Sequence, residues 1–290
     1  MGKVYDALRK AEEQRARRLQ EATESGAAAT LDFVTPPRRD HDDEPRMAPA
    51  PKFERARETA APASVEGGDV HNKRRIVLLQ PESAIAEQFR SLRARLDALA
   101  ATRPLRTIAV TSAVPGEGKT MAAISLAAVN AMQLGSKVVL VECDLREPTI
   151  AACLGLRVDA GLTEVLADGA SLDDAIQRVP GTQLDVLAVR GLPQNPSELL
   201  SSERMRALLE TLARRYERVI LDLPPTLGLP DAKTVSGMCD GTVFVVRADS
   251  TPQPEIESAL EVLGRERVLG VVMNAADTTP QAYGKYAQRG

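Results

Sequence analysis

The pattern of apolar and polar positions changes near residue 75. Beyond it, apolar residues gather into short unbroken runs separated by longer amphipathic stretches. The runs Thr107–Thr111, Val138–Val141, Leu184–Val189, Val219–Leu221, Thr242–Val246 and Leu269–Val272 read as strands of a parallel sheet buried on both faces. Met121–Leu134, Ser197–Ala213 and segments starting near Ala232 and Pro254 read as the helices between them. In the second of these, Glu198 lies early and Arg214 and Arg215 late, as the helix dipole prefers. A further helix precedes the first strand. Its Ile85, Phe89, Leu92, Leu96 and Leu99 recur at helical spacing as one apolar face, with Glu87, Arg90 and Arg93 as a polar stripe beside it. Strand and helix alternate without an internal repeat. The expected fold is α/β, a doubly wound and mostly parallel sheet flanked by helices, with ligands at the carboxyl ends of the strands.

Upstream the picture differs. Residues 1–20 form a possible short helix, with Val4, Leu8 and Ala11 on one side, suited to docking on a partner. Residues 21–75 are rich in Ala, Pro, Glu, Arg and Asp and poor in large apolar side chains. Such a segment buries too little surface to offset its ordering entropy and is expected to be a disordered linker. The globular domain then spans 76–280, and residues 281–290 form a tail carrying Tyr283 and Tyr286.

Composition narrows the class. The 290 residues are 43% hydrophobic and carry a net charge of −3, enough for one sizeable core and without the basic field that nucleic-acid binding requires. Cys143, Cys153 and Cys239 show neither CxxC pairing nor metal spacing and read as reduced, partly buried thiols of a cytosolic protein. No apolar run approaches the ~20 residues of a membrane span. The N-terminus lacks the apolar core of a signal peptide, and Asp6 stands where myristoylation asks for Ser or Thr. The expectation is a soluble, cytoplasmic chain that reaches the inner face of the membrane only through a partner.

The chemistry is concentrated at strand ends. After the first strand comes Ala113-Val114-Pro115-Gly116-Glu117-Gly118-Lys119-Thr120, then an apolar helix. This is the strand–glycine loop–helix context of a phosphate-binding P-loop, with Ala113 in place of its first glycine. Gly116 and Gly118 let backbone N–H groups turn toward phosphate oxygens at a helix N-terminus. Lys119 can reach the β- and γ-phosphates, and the Thr120 hydroxyl can ligate Mg²⁺. Nucleotide contacts are expected from Pro115, Gly116, Glu117, Gly118, Lys119, Thr120 and Met121. The second strand runs into Glu142-Cys143-Asp144-Leu145-Arg146-Glu147-Pro148. Glu142 and Asp144 point the same way along it and can hold Mg²⁺ or accept a proton from an attacking hydroxyl. Arg146 can contact phosphate or a neighbouring carboxylate. Val219–Leu221 ends in Asp222, the form of a Walker B aspartate. Arg247 and Asn274, at two later strand ends, are placed for base or ribose contacts; the Asn amide both donates and accepts.

These segments resemble the Walker A, Walker A′ and Walker B motifs of bacterial tyrosine kinases of capsule and exopolysaccharide synthesis. Gln194-Asn195-Pro196-Ser197-Glu198-Leu199-Leu200 is similar to a recurring segment of that family. Glu87, Arg90 and Arg93 match its Glu-x-x-Arg-x-x-Arg oligomerisation motif. The resemblance covers Pro81 to the C-terminus. It implies a P-loop fold related to the MinD and ParA ATPases that binds ATP and Mg²⁺, with Thr120, Asp144 and Asp222 as metal ligands. Lys119, Asp144, Glu142, Asp222 and Arg146 would carry catalysis. It also implies phosphorylation of Tyr283 and Tyr286 in trans within a homo-oligomeric ring, activation by a membrane polysaccharide co-polymerase, and reversal by a phosphotyrosine phosphatase. Direct membrane insertion and nucleic-acid binding are not implied. The family usually has Asp where this chain has Glu142, and a displacement of about 1 Å can cost on the order of a hundredfold in rate. That departure leaves open a non-catalytic nucleotide-binding subunit of the export machinery. A MinD/ParA-type positioning ATPase is disfavoured, because Val114 stands where such proteins carry a signature lysine.

Overall fold

In the computed structural model of the chain, residues 74–276 are described. The expected docking helix, the linker up to residue 73, and Tyr283 and Tyr286 lie outside them. A seven-stranded sheet has the order β3-β4-β2-β5-β1-β6-β7. Its strands are β1 Thr107–Ser112, β2 Val138–Glu142, β3 Gln177–Arg178, β4 Leu184–Leu187, β5 Arg218–Asp222, β6 Gly241–Arg247 and β7 Val268–Asn274. All neighbours pair in parallel except the short edge strand β3, which runs antiparallel to β4.

The unbroken apolar runs are explained by two cores. Ile108, Val110, Leu140, Ile220 and Val245 face one, and Ala109, Val139, Val141, Val219 and Leu221 face the other. Alternate side chains leave opposite faces of a strand, so a sheet covered on both sides needs both positions apolar. Ten α-helices lie among the described residues. On the first core lie α1 (Ile76–Leu79), α2 (Ala84–Ala100) and α3 (Lys119–Ala131), and α4 (Ile150–Leu154) closes its end. The second core is covered by α5 (Leu162–Ala167), α6 (Leu172–Ala175), α7 (Pro196–Ser201), α8 (Glu203–Arg215) and α9 (Asp231–Met238). The last helix, α10 (Gln253–Leu263), buries Ile256, Ala259 and Leu263.

Three expectations change. The single helix over 197–213 is two helices, α7 and α8, parted at Ser202. That residue is extended (ψ 156°), and its side-chain oxygen accepts the Met205 N–H at 3.2 Å. A serine that can satisfy a free helix N–H starts a new helix more readily than it continues an old one. β7 is longer than expected and only partly buried, because topology makes it an edge. On α2, Ala86, Phe89 and Leu96 are buried, whereas Ile85 is 40% exposed and turned toward the cavity beside β1.

Candidate functional site

β1 pairs with β5, and β5 with β2, so the carboxyl ends of three strands stand side by side. Asp222 is in register with both Val110 and Glu142. Cys143 N–H donates to the Asp222 carbonyl (2.8 Å) and Leu223 N–H to the Val110 carbonyl (3.0 Å), carrying the alignment past the strand ends. The loop from Ala113 to Gly118 and the first turn of α3 close over this edge. Gly116 (φ +83°) and Gly118 (φ +96°) take the left-handed backbone that turns N–H groups inward. Gly118 has a second constraint: a Cβ there would lie 2.1 Å from the Asn274 side-chain nitrogen.

The result is an open cavity of about 660 Å³ whose polar lining includes Lys119, Thr120, Asp144, Arg146, Arg247 and Asn274. Ile76, Ile85, Met121, Pro224 and Pro225 supply apolar wall. Lys119 Nζ lies 2.7 Å from Asp144 Oδ2. Burial works to lower the Lys119 pKa, but the attraction of Asp222 and Asp144 outweighs it and holds the ammonium above its ordinary value. Asp222 is 1% exposed. Burial pushes its pKa up to about 6, against the opposing pull of Lys119 and the Thr120 hydroxyl. Its Oδ1 has no hydrogen-bond partner. A buried carboxylate oxygen left unpaired beneath Thr120 costs free energy unless a cation or its water completes it, so these residues fit Mg²⁺.

Not every expected site residue faces the cavity. Glu142 is buried, and its carboxylate accepts the backbone N–H groups of Thr149, Ile150 (2.7 Å) and Val189 (3.0 Å). Burial raises its pKa while these donors oppose the rise. The side chain therefore ties the N-terminus of α4 to the end of β4 and has no contact with Lys119; the expectation that it works beside Asp144 is not what the geometry provides. Glu142→Ala is expected to strand these buried donors and destabilise the protein by about 3 kcal/mol, with Glu142→Gln milder; urea denaturation measures the difference. Arg146 turns to neighbouring side chains, Asp231 Oδ2 (3.3 Å) and Ser197 Oγ (3.2 Å). Asp231, the first residue of α9, was not singled out by its sequence; Ser197 belongs to the Asn-Pro-Ser-Glu segment that was.

Asn274 does not keep its amide free for a base edge: Nδ2 donates to the Glu117 carbonyl (2.8 Å), and Oδ1 accepts from Ala275 N–H (2.9 Å). Arg247 Nη1 reaches the Gly116 carbonyl at 3.3 Å. Glu117 is buried with its carboxylate turned away from the cavity, so only its backbone is placed for phosphate. On α2, Arg90 pairs with Glu87 and donates to the Pro81 carbonyl (2.7 Å), and Arg93 donates to the Val129 carbonyl. The polar stripe thus also anchors α2 to its own protomer. The three cysteines are buried and form no disulfide among the described residues, and no described helix is long and apolar enough to cross a membrane.

Comparison with known proteins places this site in context. Residues 105–248 match the family model described as an AAA domain. The tyrosine-protein kinase YwqD of Bacillus subtilis is 36% identical over 217 residues, which cover 74% of this chain and 91% of that protein. The succinoglycan biosynthesis transport protein ExoP of Rhizobium meliloti is 33% identical over 218 residues; these cover 73% of this chain but 27% of ExoP. Among solved structures, the kinase domain of the Escherichia coli tyrosine kinase ETK matches with a TM-score of 0.63 and 31% identity, covering 70% of this chain and 82% of that one.

Proposed function

The chain belongs to the bacterial protein-tyrosine kinases, and from that premise we propose that it is an autokinase that moves the γ-phosphoryl group of ATP onto Tyr283 and Tyr286 of a neighbouring copy. The observation that carries this reading is the Lys119–Asp144 ion pair above the unpaired oxygen of Asp222. Together these side chains supply a cation for the phosphates, a proton acceptor and a metal ligand.

Without nucleotide, Lys119 and Asp144 neutralise each other. The β- and γ-phosphates offer Lys119 a larger negative charge, together with the N–H groups of the loop and the N-terminus of α3. As Lys119 turns to them, Asp144 Oδ2 is released. Asp144 stays oriented, because its Oδ1 still accepts the Glu147 N–H at 3.1 Å. The freed carboxylate takes the proton of the acceptor phenol as its oxygen bonds to the γ-phosphorus. The bond from that phosphorus to the β-bridging oxygen breaks, and ADP leaves. Thr120 and Asp222, whose Oδ1 is unpaired, are the residues that would hold Mg²⁺ while Asp144 serves as the base; the ion would supply charge neutralisation for the phosphates. Arg146, gripped by Asp231 and Ser197, sits at the cavity rim for phosphate or acceptor contact. Catalysis is chiefly placement and electrostatics.

The Glu142 geometry weakens the case for a non-catalytic subunit. The added methylene lies at a backbone anchor, away from Lys119, and Asp144 stands unaltered at the cavity.

Around this core, 76–280 serves as the kinase domain and 281–290 as its substrate tail, with 1–20 as a partner-docking segment ahead of 21–75. Glu87, Arg90 and Arg93 contribute to a homo-oligomeric ring, and a membrane polysaccharide co-polymerase recruits the cytoplasmic chain to the inner face of the membrane and activates it. The name of ExoP, a succinoglycan biosynthesis transport protein, supports that setting; a phosphotyrosine phosphatase completes the cycle. Purified protein incubated with Mg·ATP should become reactive to phosphotyrosine antibody. Lack of reactivity, with a co-polymerase's cytoplasmic segment present, would sink the kinase reading.

A further inference from the structure

Glu117 poses a physical question that phosphate binding does not answer. An acidic side chain in a loop built to surround phosphate should repel the ligand, yet this one is 2% exposed and fully engaged. Its Oε2 accepts the Val114 N–H at 2.8 Å, bracing the loop across its own turn. Its Oε1 accepts the Arg247 N–H at 3.3 Å and the Thr251 hydroxyl, both from the segment at and beyond the end of β6. The Glu117 carbonyl accepts the side chain of Asn274 at the end of β7, and the Gly116 carbonyl accepts that of Arg247. Asn274 also packs so closely on Gly118 that no Cβ fits between them. The loop is therefore strapped to two strand ends by contacts that involve no ligand.

We propose that Glu117 is the positioning residue of the phosphate loop, a carboxylate clamp that fastens it to the ends of β6 and β7 in its binding-competent shape. The clamp acts through the loop backbone and touches no substrate. If its loss reduces the competent fraction of the loop, apparent nucleotide affinity falls by that same fraction. Glu117→Gln keeps the shape but cannot accept at both ends, since its amide nitrogen must face either the Val114 N–H or the Arg247 and Thr251 donors. Thr251→Val removes one donor at a residue outside the loop.

The inference rests on the loop being a nucleotide site but not on the kinase reading, and its test uses binding alone. The full-length chain is titrated with a fluorescent ADP analogue and Mg²⁺, with melting of the nucleotide-free protein followed in parallel. Glu117→Gln should weaken binding about tenfold or more, and Thr251→Val by about threefold. The double variant should weaken it by less than the product of the two, because both cut one network. Melting of Thr251→Val should stay close to wild type. The clamp and simple charge repulsion predict opposite signs: tighter binding by Glu117→Gln overturns the proposal, as does unchanged affinity in both variants. Should Glu117→Gln not fold, Thr251→Val decides alone, and wild-type affinity there overturns it. Wild-type protein that binds the analogue but never forms phosphotyrosine contradicts the kinase reading and leaves the clamp standing.

Discussion

Replacing Lys119 by methionine is expected to lower autophosphorylation by at least about a thousandfold. The ammonium sits at the head of α3, 2.7 Å from Asp144, with the attraction of Asp222 adding to its hold on the proton. Negative charge shifts among the phosphoryl oxygens during transfer, and a preorganised donor lost from a dry site costs on the order of 100- to 1000-fold even when it is neutral. A full positive charge is worth more. The same change leaves Asp144 and Asp222 without their cation, so the variant should melt below wild type in the absence of nucleotide; uncompensated buried charge typically costs about 3–5 kcal/mol unless a proton is taken up. Incorporation of label from radiolabelled ATP measures the first effect and thermal denaturation the second. Activity within tenfold of wild type would remove Lys119 from the mechanism. Lys119→Arg should also fail to restore full rate, because a planar fork does not replace a compact ammonium in a closed loop.

Asp222→Asn should have two effects of opposite sign: it abolishes phosphoryl transfer and stabilises the nucleotide-free protein. Burial raises the Asp222 pKa from 3.8 to about 6. A group whose folded pKa lies above its unfolded value contributes stability that is full below the unfolded pKa and lost as pH rises through the folded one. For Asp222 the window runs from about pH 4 to about pH 6. Above it the ionised carboxylate penalises the folded state by about 3 kcal/mol, at about 1.4 kcal/mol per pKa unit. Asparagine has nearly the same shape, needs no ionisation and can donate as well as accept, so the penalty disappears. Urea denaturation should show the variant more stable than wild type at pH 8 and the difference shrinking toward pH 4. Equal stability at both pH values would mean that the carboxylate is not strained by burial. A strained acid is what a metal site holds in readiness, and excess Mg²⁺ and nucleotide should narrow the gap by favouring wild type.

Much of this arrangement was legible because it is local. The apolar runs around Ile108, Leu140 and Ile220 announced strands buried on both faces, and the glycine loop between β1 and α3 announced phosphate. Asp144 and Asp222 followed from the rule that ligands gather at carboxyl ends of strands. What escaped depends on partners distant in sequence. Nothing near Glu142 says that it accepts from Val189, nor near Glu117 that it accepts from Arg247 and Thr251. Glu142 read as a catalytic carboxylate and Glu117 as a nucleotide contact, and the carboxylates of both are taken up by protein donors. Between Ile150 and Ala175 the helices have four to six residues, too short for periodicity to register. The split at Ser202 was visible in principle, since Ser followed by Glu can begin a helix, but the apolar spacing runs through it. The half-exposed faces of β7 and Ile85 follow from edge position and from the cavity, which composition does not encode.

The central claim is that this phosphate loop drives transfer to tyrosine, and intact mass before and after incubation with Mg·ATP tests it most directly. Wild-type chain should gain one or two phosphoryl groups, Lys119→Met none, and the Tyr283→Phe/Tyr286→Phe double variant none. A wild-type mass that stays unchanged while Mg·ATP is bound, or a Lys119→Met chain that gains as much as wild type, would contradict the account.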